Sequence, residues 1–259
     1  RRMESSNSAA KLKVVGVGGA GGNAINDMMQ SDIISDVEFI AINTDRQDLE
    51  RSLTQTRVLL GEGTGAGADP EKGKKAAKES EEAVREVLKG TDMLFITAGM
   101  GGGTGTGAAP IVAEVARGMG ILTVAVVTKP FDFEGPLKKN NAEIGIENLR
   151  KHVDTLIAIP NEKLFELPNI SITLMNAFKE ANGVLRVGIK GISDLITKQG
   201  FVNLDFADVK AIMQDSGIAM LGFGEASGDG KSKTATEQAL NSPLLEKSIN
   251  INYPNIKVV

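Results

Sequence analysis

Two glycine clusters, each lying between an apolar run and a helical pattern, constrain the fold of this chain more than any other feature. The first occupies residues 16–23 (GVGGAGGN) and the second residues 98–107 (AGMGGGTGTG). Glycine costs roughly 0.5–1 kcal/mol more than alanine in regular structure, so a stable fold keeps such clusters only where the backbone needs them. The clusters therefore predict two tight strand-to-helix turns whose backbone can approach another group closely.

Short, branched and continuously apolar runs alternate with helical patterns along the chain. Runs of this kind are typical of strands that are covered on both faces. Alternating strands and helices predict an α/β fold with a mostly parallel sheet and right-handed crossovers. We predict strands at 12–17, 37–42, 93–97, 121–128 and 155–159, a weaker strand at 58–60, and helices at 23–30, 72–89, 107–118 and 140–151.

A longer helix is predicted after these units, because mostly apolar side chains recur every three or four residues and so lie on one face of a helix. They are Met175, Phe178, Asn182, Leu185, Ile189, Ile192 and Ile196. At 1.5 Å per residue this stripe spans ~33 Å, enough to hold two sites a fixed distance apart, although such a stripe is most often simply core. A short helix, a strand near 218–223 and a helix near 234–246 are predicted to follow.

Composition excludes several classes of site. The chain of 259 residues has no cysteine and a single histidine, His152, so disulfides, cysteine nucleophiles and histidine-cluster metal sites are excluded. A net charge of −4 and an aromatic content of 4% argue against nucleic-acid binding. No run approaches the ~18 apolar residues of a membrane span, and residues 1–10, predicted as a disordered lead-in, lack the apolar core of a secretory signal. These features predict a cytoplasmic protein without membrane insertion.

Both clusters suit a phosphate ligand, because a helix start offers free N–H groups and positive partial charge. The first satisfies G-x-G-x-x-G, and Asp45 beyond the second strand makes an NAD site one interpretation; a tight turn without a ligand is another. In the second, Thr104 or Thr106 can cap the helix and also donate to an anion. Neither cluster contains the Gly-Lys-Ser/Thr of a P-loop, and a dinucleotide site needs only one such loop. Two adjacent helix starts fit a di- or triphosphate.

Several motifs, in order along the chain, resemble those of the tubulin/FtsZ family of GTPases. They are GVGGAGGNA at 16–24, NTD at 43–45, a glycine-rich segment at 63–68, GGGTGTG at 101–107, KPFDFEG at 129–135 and NLDFADV at 203–209. The resemblance implies a Rossmann-like, mostly parallel sheet flanked by helices, a long central helix and a second, α+β domain. It implies a GTP-binding domain at 11–170, the central helix at 171–198, and a catalytic loop with an incomplete C-terminal domain at 199–259.

The resemblance also implies a set of residues that bind GTP or GDP. The set comprises Gly19, Ala20, Gly21, Gly22, Asn23, Asn43, Asp45, Ala66, Gly67, Ala68, Gly101, Gly102, Gly103, Thr104, Gly105, Thr106, Gly107, Pro130, Glu134, Lys138, Phe178 and Asn182. By the same resemblance, residues 66–68 lie near the γ-phosphate, Glu134 contacts the ribose, Phe178 and Asn182 contact the guanine, and Mg²⁺ binds through the phosphates and water. Lys138 takes the place of a family arginine, which keeps the charge but loses the bidentate guanidinium.

Asp205 and Asp208 follow the long helix and are candidate catalytic acids. An Asp-x-x-Asp pair at a helix start is usually a capping pair, which is the structural alternative. The helix carries the chain ~20–30 Å beyond Phe178 and Asn182, so these acids cannot serve the nucleotide of their own subunit. The resemblance implies that Asp205, Asp208 and Asn203 enter the site of the next subunit and orient the attacking water. Such a head-to-tail contact need not close, and it therefore produces filaments.

The resemblance thus implies a cytoskeletal GTPase that polymerises at the division site in the bacterial cytoplasm. Its expected partners are further copies of itself, membrane adaptors and division regulators. Residues 209–259 are too few for the family's whole second domain, so we expect that domain to be incomplete and the adaptor-binding peptide to be absent. Two alternatives stay open: a nucleotide-binding structural module without turnover, and an NAD-dependent oxidoreductase that relies on the first cluster and Asp45.

Overall fold

Parallel strands build the centre of the molecule in the computed structural model, which describes residues 9–31, 34, 36–167, 171–198 and 205–244. They are β1 (Leu12–Val17), β2 (Val37–Asn43), β3 (Thr56–Leu59), β4 (Met93–Gly99), β5 (Leu122–Lys129), β6 (Thr155–Pro160) and β7 (Gly217–Ala219). Their order is β3-β2-β1-β4-β5-β6-β7, and each neighbouring pair is parallel. The predicted α/β class is confirmed, whereas the strand predicted at 218–223 is reduced to three residues.

Helices connect the strands. They are α1 (Gly18–Ser31), α2 (Arg46–Glu50), α3 (Pro70–Glu79), α4 (Glu81–Leu88), α5 (Thr104–Gly118), α6 (Pro136–Arg150), α7 (Ala177–Thr197), α8 (Phe206–Met213) and α9 (Lys231–Leu240), with short 3₁₀ helices at Asp132–Glu134 and Asn161–Glu166. The single helix predicted at 72–89 is wrong, because Ser80 leaves helical geometry (φ −113°, ψ 14°) and separates α3 from α4. The helix predicted at 234–246 lies earlier, as α9.

The sheet is covered on both faces, which explains its unbroken apolar strands. Successive residues of a strand point to opposite faces, so Val15 packs in the core beneath α3, α4, α5 and α6, and Val14 packs in the core shared with α1, α7 and α8. Both residues are fully buried. The loops at the carboxyl edge of the sheet therefore project from a frame that is packed on both sides.

The long helix α7 buries the middle of its predicted stripe. Leu185, Ile189 and Ile192 lie in the core that α7 shares with α1. The first two members differ, since Met175 precedes the helix and is 96% exposed, and Phe178 is 52% exposed. The stripe therefore packs the middle of α7 against the sheet and leaves its beginning open at the carboxyl edge.

Candidate functional site

The strand order creates a crevice at the carboxyl edge of the sheet between β1 and β4. The helix after β1 packs on one face of the sheet and the helix after β4 on the other, which makes this edge the topological switch point. Gly16 pairs with Thr97 and Val17 with Ala98, so the two strands end at the same level. Ligands of parallel α/β sheets bind in such a crevice. Both glycine clusters lie there, at the starts of α1 and α5.

The two clusters are packed against each other. A Cβ atom on Gly18 would lie 2.9 Å from the amide nitrogen of Gly105, and one on Gly99 would lie 2.6 Å from Ala20 Cβ. Gly18 also has a φ of +75°, a conformation that strains L side chains. The starts of α1 and α5 therefore lie side by side, and their free N–H groups and helix dipoles can act on one anionic ligand.

A small cavity of about 130 Å³ lies beside the start of α1. Gly19, Gly22 and Asn23 of the first cluster line it together with Asn43 from the end of β2. Gly21 is buried instead, and a Cβ atom there would lie 2.6 Å from a carbonyl oxygen of β4. The structure thus brings four predicted binding residues to one cavity and gives Gly21 a packing role.

The third glycine-rich segment, predicted at 63–68, lies against the second cluster. Ala66 is buried there, and a Cβ atom on Gly103 would lie 2.7 Å from Ala66 Cβ. The next two residues, Gly67 and Ala68, are exposed and have φ values of +56° and +60°. A non-glycine residue in this conformation is uncommon, and it indicates a backbone that its surroundings hold in place. Of the three residues predicted near the γ-phosphate, Gly67 and Ala68 therefore lie exposed beside the second cluster, whereas Ala66 packs against it.

The segment after β2 connects the third segment to the second cluster. Thr44 Oγ1 lies 2.6 Å from Thr104 Oγ1, and Thr44 O accepts a hydrogen bond from Gly65 N over 2.9 Å. Asn43 Oδ1 accepts from Asp45 N, and Asp45 Oδ1 accepts from two amides in the first turn of α2. Asp45 is thus the N-cap of α2, so this acid has a structural role that requires no dinucleotide.

Thr106 and Thr104 occupy different environments within the second cluster. Thr106 is 3% exposed, and its Oγ1 accepts a hydrogen bond from Gly101 N over 2.8 Å. A Cβ atom on Gly145 of α6 would lie 2.3 Å from Thr106 Cγ2, so α6 covers this side chain. The Thr106 hydroxyl therefore shapes the turn from inside, whereas Thr104 is only half-buried.

The start of α6 borders the second cluster. A Cβ atom on Gly101 would lie 2.7 Å from Lys138 O. Glu134 accepts hydrogen bonds from Phe131 N over 2.8 Å and from Lys138 Nζ over 3.1 Å. Pro130 is buried where β5 leads into this segment. The predicted binding residues Glu134 and Lys138 therefore form an ion pair next to the second cluster.

An aromatic cluster lies where α7 begins. Phe178 meets the rings of Phe131 and Phe133 edge-on, with centroid distances of 5.6 and 6.1 Å. Phe131 is fully buried and stacks on Phe133 at 4.9 Å. Asn182, one helical turn after Phe178, is half-buried. An exposed ring held by its neighbours offers an apolar face, and a carboxamide beside it offers donor and acceptor atoms, which together suit a nucleobase.

Asn161, which no sequence motif indicated, follows β6 at the same edge of the sheet. The residue is 4% exposed, and its Oδ1 has no hydrogen-bond partner within the described part of the chain. A buried carbonyl oxygen without a donor is costly, so Asn161 Oδ1 is a candidate acceptor for a donor outside the described chain. The signal that could have identified Asn161 is its place directly after an apolar strand.

The predicted acids lie away from this edge. Asp205 Oδ1 accepts from Asp208 N over 2.9 Å, and Asp208 Oδ2 accepts from Asp205 N over 3.4 Å, which forms the capping box of α8. α8 ends where Met213 O accepts a hydrogen bond from Thr155 Oγ1, at the amino end of β6. The structure confirms the capping role. The side chains of both acids are also exposed, so a neighbouring subunit can reach them. Asn203 lies outside the described residues.

Known sequence families match most of the chain. The Tubulin/FtsZ family, GTPase domain, matches residues 11–169, and the FtsZ family, C-terminal domain, matches residues 217–254. The cell division protein FtsZ of Coxiella burnetii is 54% identical over 247 residues, which cover 94% of this chain and 64% of that protein. The chain therefore spans slightly less than two thirds of the length of this relative.

Solved structures share the fold. An empty FtsZ dimer from M. jannaschii is 49% identical and matches with a TM-score of 0.87 over 93% of this chain and 71% of that chain. CetZ2 from Haloferax volcanii, solved as a GTPγS-bound protofilament, is 24% identical and matches with a TM-score of 0.71 over 84% of this chain and 67% of that chain. The second likeness shows the fold alone. None of the helices in the described ranges is both long and apolar enough to span a membrane.

Proposed function

The chain belongs to the tubulin/FtsZ family, and we propose that it binds and hydrolyses GTP and assembles head-to-tail into filaments for bacterial cell division. The observation that carries this proposal is the contact between the two glycine-rich helix starts, which directs two sets of free N–H groups at one anion. The proposed organisation is a GTP-binding domain at 11–170, a central helix at 171–198, and a catalytic loop with part of a C-terminal domain at 199–259.

The phosphates of GTP are proposed to lie between the starts of α1 and α5. Free backbone amides in the first turns of α1 and α5 donate to the phosphate oxygens, and the glycines allow the backbone to approach closely. Gly67 and Ala68, exposed beside the second cluster, face the γ-phosphate. Hydrolysis removes this phosphate, so contacts of the third segment distinguish GTP from GDP.

The nucleoside is proposed to extend from the clusters toward α7. Glu134 accepts a hydrogen bond from a ribose hydroxyl, and Lys138 beside it supplies positive charge. The guanine stacks on the exposed face of Phe178. Asn182 and the unpaired Oδ1 of Asn161 bond to the polar edge of the base, which supports a preference for guanine.

Mg²⁺ fits this site as a phosphate-bound ion. Within the ranges that the structure describes, no group of three or more acidic, histidine or cysteine side chains could hold a metal by itself. Mg²⁺ commonly keeps several waters and binds through substrate phosphates with one or two carboxylates. Asn43 and Asp45 flank Thr44, which contacts Thr104 of the second cluster, and their polar side chains suit the ordering of such waters. When bound, the ion neutralises charge on the phosphates.

Hydrolysis is proposed to require two subunits. Asp205, Asp208 and Asn203 of one subunit enter the nucleotide site of the next and hold the attacking water in line with the γ-phosphate. α7 spans about 30 Å, which separates the two halves of the site within one chain. We expect the filaments in the cytoplasm at the division site, with membrane adaptors and division regulators as partners of the whole protein.

Turnover per subunit should rise with protein concentration, because a shared site is complete only where two subunits meet. Phosphate release and light scattering, measured on the same samples with GTP, should begin at the same threshold concentration. A specific activity that does not change on dilution would contradict the shared site. GTP binding without turnover at any concentration would favour the structural module, and preferential binding of NAD in a competition titration would favour the oxidoreductase.

Asn161→Ala should weaken GTP binding about tenfold, the change that corresponds to about 1.4 kcal/mol for one hydrogen bond. The loss should be smaller for inosine triphosphate, which lacks the exocyclic amine that can donate to Oδ1. Equilibrium titration of both nucleotides measures the difference. Asn148→Ala, an exposed asparagine of α6, is the matched control and should bind GTP like the wild type. Unchanged GTP affinity in Asn161→Ala would assign the residue to packing instead.

A further inference from the structure

Three charged side chains meet at the amino edge of the sheet, opposite the proposed nucleotide site. Arg117, in the last turn of α5, donates from Nη2 to Asp215 Oδ1 over 2.7 Å, and the same nitrogen lies 3.6 Å from Asp154 Oδ1. Asp154 directly precedes β6, and Asp215 follows α8. We call these three residues the basal clamp. It joins the end of α5, the start of β6 and the end of α8.

Asp154 is the buried member of the basal clamp. It is 4% exposed, and its carboxylate accepts hydrogen bonds from Thr123 N over 2.9 Å and from Asp215 N over 3.3 Å. With Arg117 nearby, both oxygens of this buried charge are paired, as burial requires. Asp215 has a φ of +51°, a conformation that is uncommon for a non-glycine residue and needs such support. The basal clamp therefore holds the backbone after α8 in one conformation.

Further hydrogen bonds tie the end of α8 to the same edge. Thr155 Oγ1 donates to Met213 O over 2.7 Å and lies 2.7 Å from Ser216 Oγ. Gly217 N donates to Asp154 O over 2.9 Å. α8 has only eight residues, and its first turn carries the exposed acids. The position of those acids therefore depends on how the other end of α8 is anchored.

We propose that the basal clamp positions Asp205 and Asp208 for hydrolysis in the neighbouring subunit, and that Arg117 is a positioning residue for this reaction. α5 carries the second glycine cluster at its start and Arg117 near its end, and it is largely buried between them. It therefore links the two over ~22 Å. Through α5 and the basal clamp, Asp205 and Asp208 are held at a fixed distance from the nucleotide of their own subunit. The inference rests on the proposed GTPase function.

Arg117→Ala in the full chain tests the basal clamp. GTP affinity should stay within about twofold of the wild type, and light scattering should show assembly. Turnover in the filaments should fall about 10- to 100-fold, as expected for catalytic groups displaced by about 1 Å. Arg117→Lys keeps the charge and a donor for Asp215, so it should recover most of the turnover. Arg150→Ala is the matched control, since Arg150 lies in the last turn of α6 and pairs with Glu147 of its own helix.

Mixed filaments separate displaced acids from damage to α5 itself. Arg117→Ala and Asp208→Ala are mixed in equal amounts. If the basal clamp positions the acids, neither variant offers usable acids, so the mixture should turn over GTP no faster than the mean of the two variants measured separately. A gain would mean that Arg117→Ala keeps working acids and has a damaged nucleotide cluster, which overturns the proposal. Thr104→Val, altered only in the nucleotide cluster, is the positive control and should complement Asp208→Ala, with co-sedimentation to verify mixing.

Other outcomes also decide between the two proposals. Wild-type turnover in Arg117→Ala, or loss of its assembly, overturns the basal clamp and leaves the proposed function intact. Absence of turnover in the wild type at every concentration overturns the proposed function, and the basal clamp with it.

Discussion

Asp208→Ala should lower GTP turnover per subunit by about 10²- to 10³-fold and leave GTP affinity within about twofold of the wild type. Asp208 is exposed at the start of α8, a helix that is anchored at the edge of the sheet opposite the glycine clusters, so it does not contact its own nucleotide. Loss of a carboxylate that orients the water raises the barrier without changing the contacts of bound GTP. Phosphate release above the assembly threshold and an equilibrium GTP titration measure the two effects.

Two further variants separate catalysis from capping at this position. Asp208→Asn keeps an oxygen that can accept from Asp205 N, so α8 stays capped while the negative charge is lost, and turnover should remain low. Glu86→Ala removes an exposed acid on α4 that pairs with Lys89 directly after that helix, and it should behave like the wild type. Full turnover in both Asp208 variants would show that this acid serves only as a cap.

Gly107→Ala should lower the free energy of unfolding by about 2 kcal/mol and weaken GTP binding at the same time. A Cβ atom there would lie 1.9 Å from Pro70 O and 2.7 Å from Lys74 N, which are backbone atoms of α3. The better helix propensity of alanine, about 1 kcal/mol, offsets only part of this clash. α3 follows the third glycine-rich segment and α5 begins in the second cluster, so separating the helices also moves the proposed phosphate site. Urea denaturation and a GTP titration measure both changes.

Gly102→Ala is the matched control for this substitution. A Cβ atom on Gly102 meets nothing within 4 Å, although the residue belongs to the same cluster. Its free energy of unfolding without nucleotide should therefore stay within about 0.5 kcal/mol of the wild type. Equal stability of Gly107→Ala and Gly102→Ala would mean that the close approach of α3 and α5 does not constrain the fold.

Local patterns were sufficient for most of the sheet. The strand predicted at 12–17 is β1 unchanged, and those predicted at 93–97 and 155–159 fall within β4 and β6. Burial on both faces produces unbroken apolar runs, which can be recognised without the fold. The single helix predicted at 72–89 is interrupted at Ser80. The apolar residues of two consecutive helices recur with the same spacing as those of one long helix, so the sequence pattern does not show the break. Where the chain breaks depends on how α3 and α4 pack on α5 and the sheet.

The candidate site could be predicted only in part. The glycine clusters were visible because their conformational requirement is local. Asn161 could not be recognised from the sequence, because its distinguishing feature is an unpaired side-chain oxygen, which depends on the packing around it. Arg117 and Asp215 are 98 positions apart, and no local pattern relates them. The residues that hold parts of the site in place are thus harder to predict than the turns that bind the ligand.

Two features of this protein follow from its amino-acid sequence alone: the α/β class and the two turns suited to phosphate. Three others emerge only once the chain is folded: the two turns touch, Thr106 points into its own turn, and Asp205 and Asp208 cap a helix anchored at the opposite edge of the sheet. Apolar periodicity and the need for glycine are properties of short segments, whereas the atoms that share one cavity or one ion pair are chosen by strand order and by helices packing across the sheet.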